Sequence, residues 1–512
     1  MDSRDLAVLI KKRHPEYEAR LPHWDFLELC YEGGRDWFQK NIFKYLKEGD
    51  VEFGDRVNRA YRFNHSKEVV DLVCKYIFKS KIYRNIENAP QEIVDFWTKT
   101  TQNGQSSIEK FIRQIARDSS IYGRIWIVVD NNRDEEIAES EVGGREYAYI
   151  VKPQHVLDMS YDDEGELNWI MIAETFRDNS DPFSKNDVVN SRFRLWTKTH
   201  WYLIEKWGRE GVDESGKNLS VINSGEHNLG IVPVFPHDHN DTDELYSSPS
   251  LIADIAYLDR ACANYLSNLD AIIQDQSFSQ LAMPAQNMMP GEEAYNKMLE
   301  VGTKRIFMYD GEGGAQPFYL SPDPRQAELI ITAISKIINE IYHTVGMAGE
   351  RTKQDNSIGI DNSSGVAKAY DFERVNALLT TKAVALKRAE VKMASLALLW
   401  NGIVMSETDI AKLITYPETF DVRGISDEFG IAQNLILVEA PIEMIRQQIK
   451  VLVDKLFPTI DDALKAEMYA AADKMESVST LLANENAQQA GEATNTGFKG
   501  NKQGENNTDS KS

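Results

Sequence analysis

The chain has 512 residues and a formal charge of -23, from 80 acidic and 57 basic side chains. Its length allows several structural units around a large core, and its three dispersed cysteines, Cys30, Cys74 and Cys262, exclude a disulfide scaffold or a zinc knuckle. The acidic balance excludes an ordinary duplex-binding protein, because affinity for nucleic acid comes from Lys and Arg neutralising phosphates.

The N-terminus, MDSRDLAVLIKKRHPEYEAR, has no apolar signal region, and no later window approaches the roughly 20 apolar residues that span a bilayer. A soluble, unexported protein with buried, reduced thiols is expected. From Ser3 to about Lys81 apolar spacing predicts helices, as in VVDLVCKYIF from Val69 to Phe78, and a further helix covers Ile108 to Ala116. The character then changes to short runs rich in Val, Ile, Tyr and Trp between Gly, Asn and Asp turns. Ile125–Asp130, Tyr147–Val151, Asn168–Glu174, Arg192–Thr197 and His200–Trp207 are read as strands of a mainly antiparallel sheet, followed by IVPVF from Ile231.

Helical periodicity returns after Ser248. Leu251, Ile255, Leu258, Cys262, Leu266, Leu269 and Ile273 share one stripe of a first long helix. A second runs from about Arg325 to Val345 on Ile330, Ile334, Ile337, Ile341 and Val345. A third begins near Ser364 and reaches about Trp400. Between the first two, Pro and Gly punctuate a short helix and two strands, RIFMY and PFYL, which together make a small α/β insertion. After Trp400 a mixed segment extends to about Gly430, two amphipathic helices cover Pro441–Phe457 and Thr459–Met475, and the polar residues from about Ala483 should be disordered.

Motifs of catalysis are sparse. GxxxxGK[ST], GxSxG and HExxH do not occur, and GEGG at Gly311 lacks the Lys and Ser or Thr of a phosphate cradle. In HDHNDTDE, His237 to Glu244, imidazoles and carboxylates have a spacing that could hold a divalent ion. A metal site also needs a ligand from another element, so this stretch is read as a polar loop leading into the first long helix. Acidic pairs such as Asp162–Asp163 and Asp461–Asp462 are read as surface turns or helix starts. One stretch stands apart. GMAGERTKQDNSIGI, from Gly346, carries glycines and the basic Arg351 and Lys353 but few large apolar residues, so it must face solvent or a ligand. It leads through the N-cap types Asp361, Asn362, Ser363 and Ser364 into the third long helix.

The order of these pieces resembles the portal proteins of tailed double-stranded DNA bacteriophages. The resemblance covers about Tyr17 to Trp400 and includes the N-terminal stretches HWDFLELCYEGGRDWFQKNIFKYL and DRVNRAYRFNHSKEVVDLVCKYIFKSK. It implies an α+β portal-protein fold, in which a helix-rich wing contains an antiparallel sheet, joined by long stem helices, a small α/β clip, a long kinked wing helix and a helical crown. Residues 1–247 and 363–430 would be wing, 248–281 and 325–345 stem, 282–324 clip, 346–362 a tunnel loop, 431–480 crown and 481–512 a disordered tail. Arg351, Lys353, Gln354, Asn356, Ser357 and Asn362 would face DNA. Glu292, Tyr295, Lys304, Arg305 and Tyr309 would meet partners at the clip.

The resemblance further implies a homo-oligomeric ring, usually of twelve subunits, at one capsid vertex of the virion, assembled in the host cytoplasm. Its partners would be double-stranded DNA in the channel, the terminase motor, head-completion or adaptor proteins, and the major capsid and scaffolding proteins. No membrane, catalytic residue, metal or cofactor is implied. A glycine-rich loop can adapt to a passing duplex, and a mostly acidic wall disfavours adhesion, since each phosphate contact adds a counterion-release term. The alternatives are a metal-dependent nucleic-acid-processing enzyme using His237 and His239, and another oligomeric capsid or tail component.

Overall fold

A computed structural model describes residues 3–475 apart from 132–144, 178–188, 208–210, 214–215, 241, 243, 278–279, 285–305, 310–315, 317, 321–323, 347–364, 418–419, 421–424, 439 and 458–461. The chain divides into two units, 1–420 and 421–512.

In the first unit, helices α1 (Ser3–Lys11), α2 (Tyr17–Glu32), α3 (Arg35–Asn41), α4 (Asp50–Arg59) and α5 (His65–Ile77) precede a two-residue strand β1 (Tyr83–Arg84). Helix α5 starts cleanly because the Asn64 side chain accepts the Lys67 N–H. It turns Val69, Val70, Val73 and Ile77 inward, all 0% exposed. Helices α6 (Gln91–Thr98) and α7 (Ile108–Tyr122) follow, and α7 is buried over nearly all of its last two turns.

At the end of α7 stands Gly123, with φ +83°, where a Cβ would lie 1.9 Å from the Ser248 carbonyl oxygen. Only glycine fits there. This close approach lets Ser250 Oγ donate to the carbonyls of Ser120 and Ile121, at 3.0 and 2.7 Å. The end of α7 thereby fixes the point from which the first long helix departs.

Two sheets occupy the middle of the unit. Strand β2 (Arg124–Asn131) lies between β3 (Glu146–Val151) and β9 (Val234–Asp238), antiparallel to both. A five-stranded antiparallel meander runs in order through β4 (Val156–Tyr161), β5 (Leu167–Arg177), β6 (Val189–Thr197), β7 (His200–Lys206) and β8 (Leu219–Glu226). Strand β2, IWIVVD with flanking residues, is buried along nearly its whole length, as expected of a central strand covered on both faces. The expected single sheet is thus two, and β4 and β8 are additions. Their short polar-interrupted runs, VLDMSY and LSVINSGE, carry too little periodicity to stand out in sequence.

The long helices are α8 (Ala253–Ser277), α9 (Pro324–Thr344) and α10 (Gly365–Trp400). At 1.5 Å per residue they would extend about 37, 31 and 54 Å. Helices α8 and α9 pack through Cys262, Leu266 and Ile334, with Ile330, Ile337 and Ile338 alongside. Beyond their paired ends lies a three-stranded sheet in which β10 (Gln280–Pro284) is parallel to β11 (Ile306–Tyr309) and antiparallel to β12 (Phe318–Leu320). The two strands expected from RIFMY and PFYL are present, and β10 is new. The short helix expected in this insertion falls outside the described residues.

Helix α10 is buried on successive positions in its second half, from Val391 through Met393, Ala394, Leu396, Ala397 and Leu398. It is enclosed by its unit on most sides. Helix α11 (Glu407–Leu413) and strand β13 (Ile414–Thr415), paired with β1, complete the unit.

The second unit holds α12 (Ile425–Leu437), α13 (Ile442–Leu456) and α14 (Asp462–Asp473). The last two match the expected amphipathic pair; α12 replaces part of the mixed segment. The tail expected to be disordered lies outside the described residues.

Candidate functional site

Two helix ends frame the glycine-rich segment. Helix α9 stops in a turn in which the Gly346 N–H donates to the His343 carbonyl at 3.0 Å. Gly346 has φ +74°, and a Cβ there would come within 3.2 Å of Arg374 Cβ on α10. The chain thus leaves α9 against a residue of the helix into which it will return. Residues Arg351, Lys353, Gln354, Asn356, Ser357 and Asn362 all lie outside the described residues, as do Glu292, Tyr295, Lys304 and Arg305 of the 282–324 segment. Tyr309 is the last residue of β11, with its Cα opposite that of Pro284.

The described structure shows instead how the frame is held. The carboxylate of Asp259, on α8 and fully buried, accepts from Ser66 N and Ser66 Oγ on α5, at 3.2 and 2.8 Å. Arg62 stands 3.4 Å away. Burial pushes the Asp259 carboxyl up, and the Arg62 guanidinium opposes that shift. From the other long helix, Tyr342 OH donates to Glu68 Oε2 at 2.5 Å. The phenol proton is then spent, so the 3.2 Å contact with His65 Nδ1 has the imidazole as donor. Helix α5 is in this way bonded to α8 and α9 together.

Helix α10 is anchored by polar groups along its length. The Asn376 side chain accepts the Phe420 N–H at 2.8 Å. Glu390, 0% exposed, takes a forked pair from Arg84 at 2.6 and 3.1 Å and the Tyr416 hydroxyl at 2.7 Å. Burial pushes the Tyr416 phenol far up, and the Glu390 charge adds to it. Trp400 Nε1 donates to the Val129 carbonyl at 2.9 Å, fastening the helix end to the central strand.

Between these anchors sits Lys382, 1% exposed. Its Nζ lies 2.8 Å from His239 Nδ1 and 3.1 Å from Ser119 Oγ. Burial lowers its pKa from the usual 10.5 to about 7, with Cys74 opposing the shift. His237 is buried on β9 and pushed down to about 3, by burial first and by Lys382 second.

The reading of 237–244 as a polar loop is therefore corrected at its start, where two residues belong to β9. His237 and Asp238 are strand residues, because Asp238 takes a forked bond from Arg124 at 2.6 and 2.8 Å that neutralises it within the sheet. His237 and His239 are both buried side chains. A lysine amine already occupies the Nδ1 face of His239, and among the described residues no group of three or more His, Cys, Asp or Glu is placed to hold a metal ion. Among the described residues no helix is long and apolar enough to cross a membrane.

Sequence reasoning missed Asp259, Tyr342, Lys382 and Glu390 as organising residues. Asp259 and Lys382 each interrupt an otherwise apolar helical surface, and a charge in such a place must find a partner from another element. That was the available signal.

The fold is α+β, with buried polar side chains joining the long helices to a two-sheet body. Residues 10–411 match the family model described as "Phage portal protein, SPP1 Gp6-like". The chain belongs to this phage portal protein family, and its role in the phage particle is structural. Among solved structures it is similar to a chain of the virion of a native gene transfer agent (GTA) particle, at 10% identity and a TM-score of 0.43 over 86% of this chain and 99% of that one. No curated protein matches it.

Proposed function

We propose that copies of this chain close into a ring at one vertex of the capsid, and that double-stranded DNA enters and leaves the particle through its centre. The observation that carries this reading is the family match over residues 10–411, which reaches from the N-terminal helices through α8, α9 and α10 into α11. Twelve copies are expected. In this reading α8 and α9 form the stem, and the β10–β12 sheet belongs to the clip, where Glu292, Tyr295, Lys304, Arg305 and Tyr309 meet the terminase motor and later the adaptor proteins. Residues 431–480 form the crown. Capsid and scaffolding proteins surround the ring, which assembles in the host cytoplasm and remains in the virion.

Residues 346–362 line the narrowest part of the channel. Arg351 and Lys353 touch phosphates briefly, with Gln354, Asn356, Ser357 and Asn362 offering neutral contacts beside them. Twelve chains would carry on the order of -280 charges in total, and screening over about 8 Å limits their effect to the nearby wall. Few phosphate contacts keep the duplex mobile. The chemistry is transport, with no bond made or broken by the protein.

The test is deletion of residues 347–362 in the full chain, followed by electron microscopy and a DNA-packaging assay. Intact rings that package or retain DNA poorly are expected. Loss of rings would assign the segment to a subunit contact, and undiminished packaging would remove it from the channel.

A further inference from the structure

A cavity of about 540 Å³ lies in the first unit between β9, α10 and α11, a size suited to holding a few side chains. Phe235, Ala385 and Ala411 give it an apolar wall, to which Val384 adds a side chain 46% exposed. Val384, Arg388 and Lys392 recur every four residues and share one face of α10, and all three line the cavity. From Val384 to Lys392 the helix rises about 12 Å. An extended peptide covers that distance in about four residues.

The charges of this cavity are unevenly answered. Asp238 takes the forked bond from Arg124 at 2.6 and 2.8 Å, and Glu407 stands 3.6 Å from Lys392. On the same turn of α11, Asp409 is matched by Lys412 at 2.7 Å. Both carboxylates of the lining thus have cations, whereas Lys387, also in the lining, has no partner among the described residues. His237 lines the cavity too, 5% exposed, and its buried Nε2 has no hydrogen-bond partner. Burial keeps this imidazole neutral, with one ring nitrogen able to donate. An unanswered ammonium and an unsatisfied buried donor beside an apolar wall suit a ligand that brings negative oxygen and hydrocarbon together.

We propose that the cavity takes an acidic segment of a partner protein, extended along α10, with an apolar side chain against Phe235 and Val384 and carboxylates answering Lys387 and His237 Nε2. A nucleic-acid backbone fits less well, because phosphates and sugars offer nothing apolar to that wall. The site goes beyond the ring reading and does not depend on it.

The probe is a fluorescent peptide of about six residues, alternating leucine and glutamate, long enough to span the cavity. It is titrated onto the full chain by anisotropy beside a copy with glutamine in place of glutamate, and acylation of Lys387, read by mass spectrometry, locates the site. The acidic peptide should bind at least about tenfold more tightly than the glutamine copy and should protect Lys387. Lys387→Glu and, separately, Val384→Asp, each verified as folded by circular dichroism, should weaken binding by about tenfold. Equal binding of the two peptides, binding that survives both substitutions, or no saturation at about millimolar peptide would overturn the proposal. So would displacement of the peptide by an equal concentration of octanoate or of duplex DNA, which would assign the cavity to a small carboxylate or to nucleic acid. Shielding of Lys387 in assembled chains without peptide, and its exposure in dilute ones, would make a second copy the occupant and overturn it as well.

Discussion

Replacing Lys382 with Met tests the packing of the long helix α10 most sharply. The amine is buried beside His239 and Ser119, and its pKa falls from 10.5 to about 7. That difference corresponds to about 4 to 5 kcal/mol of destabilisation once the unfolded amine is fully protonated. The sign follows from proton binding. Between pH 7 and 10.5 the unfolded chain holds the proton that the native chain has released, so native stability rises with pH across this window and is flat below it. Through this group alone the wild-type chain gains about 3 kcal/mol from pH 7 to pH 10.

Lys382→Met keeps the length of the side chain and removes the proton, but it also forfeits two hydrogen bonds worth about 1 kcal/mol each. The variant should therefore be about 2 kcal/mol more stable than wild type at pH 7, and no more stable, or less so, at pH 10. The assay is denaturant unfolding followed by tryptophan fluorescence at fixed protein concentration, at each pH, read as the difference between the two chains. An unchanged difference from pH 7 to pH 10 would refute the reasoning. So would a variant several kcal/mol less stable at pH 7, which would mean that the native amine is charged and well solvated.

Other outcomes follow from the same contacts. Glu390→Ala should destabilise by about 3 kcal/mol, because the guanidinium of Arg84, itself 8% exposed in its side chain, would keep only the 3.6 Å contact with Glu109 and the Tyr416 hydroxyl would lose its acceptor; Arg84→Met together with Glu390→Leu should recover part of the loss in the same unfolding assay. Gly123→Ala should lower the melting temperature by several degrees or abolish soluble expression, since the new methyl meets the Ser248 carbonyl and the left-handed φ is strained. Asp259→Asn should leave the bonds from Ser66 in place but weaken the charge contact with Arg62, so exchange protection in α8 peptides should fall less than in Asp259→Ala.

Much of the architecture was legible from residue spacing. The apolar stripes locate both α8 and α9, α9 within a residue at each end and α8 within two at its start but four at its finish, because each buries one face against the other, at Cys262, Leu266 and Ile334. The strand IWIVVD was evident from its unbroken apolar run, which a strand covered on both faces requires. Strands β4 and β8 were not, since their neighbours in the sheet supply the register that their own sequences lack.

The stretch from His237 to Glu244 shows a different limit. Its residue types describe a polar loop or a metal site, yet Arg124, distant in sequence, makes Asp238 a sheet residue, and Lys382 makes His239 part of the interior. Spacing along one segment cannot reveal a partner supplied from another.

Mass photometry of the purified full-length chain, with electron microscopy of the same sample, tests the central claim most directly. A discrete species near twelve times the 58.2 kDa chain mass, seen as annular particles with an open centre, is the predicted result. A single species at one chain mass across all concentrations, with no rings on the grid, would contradict it.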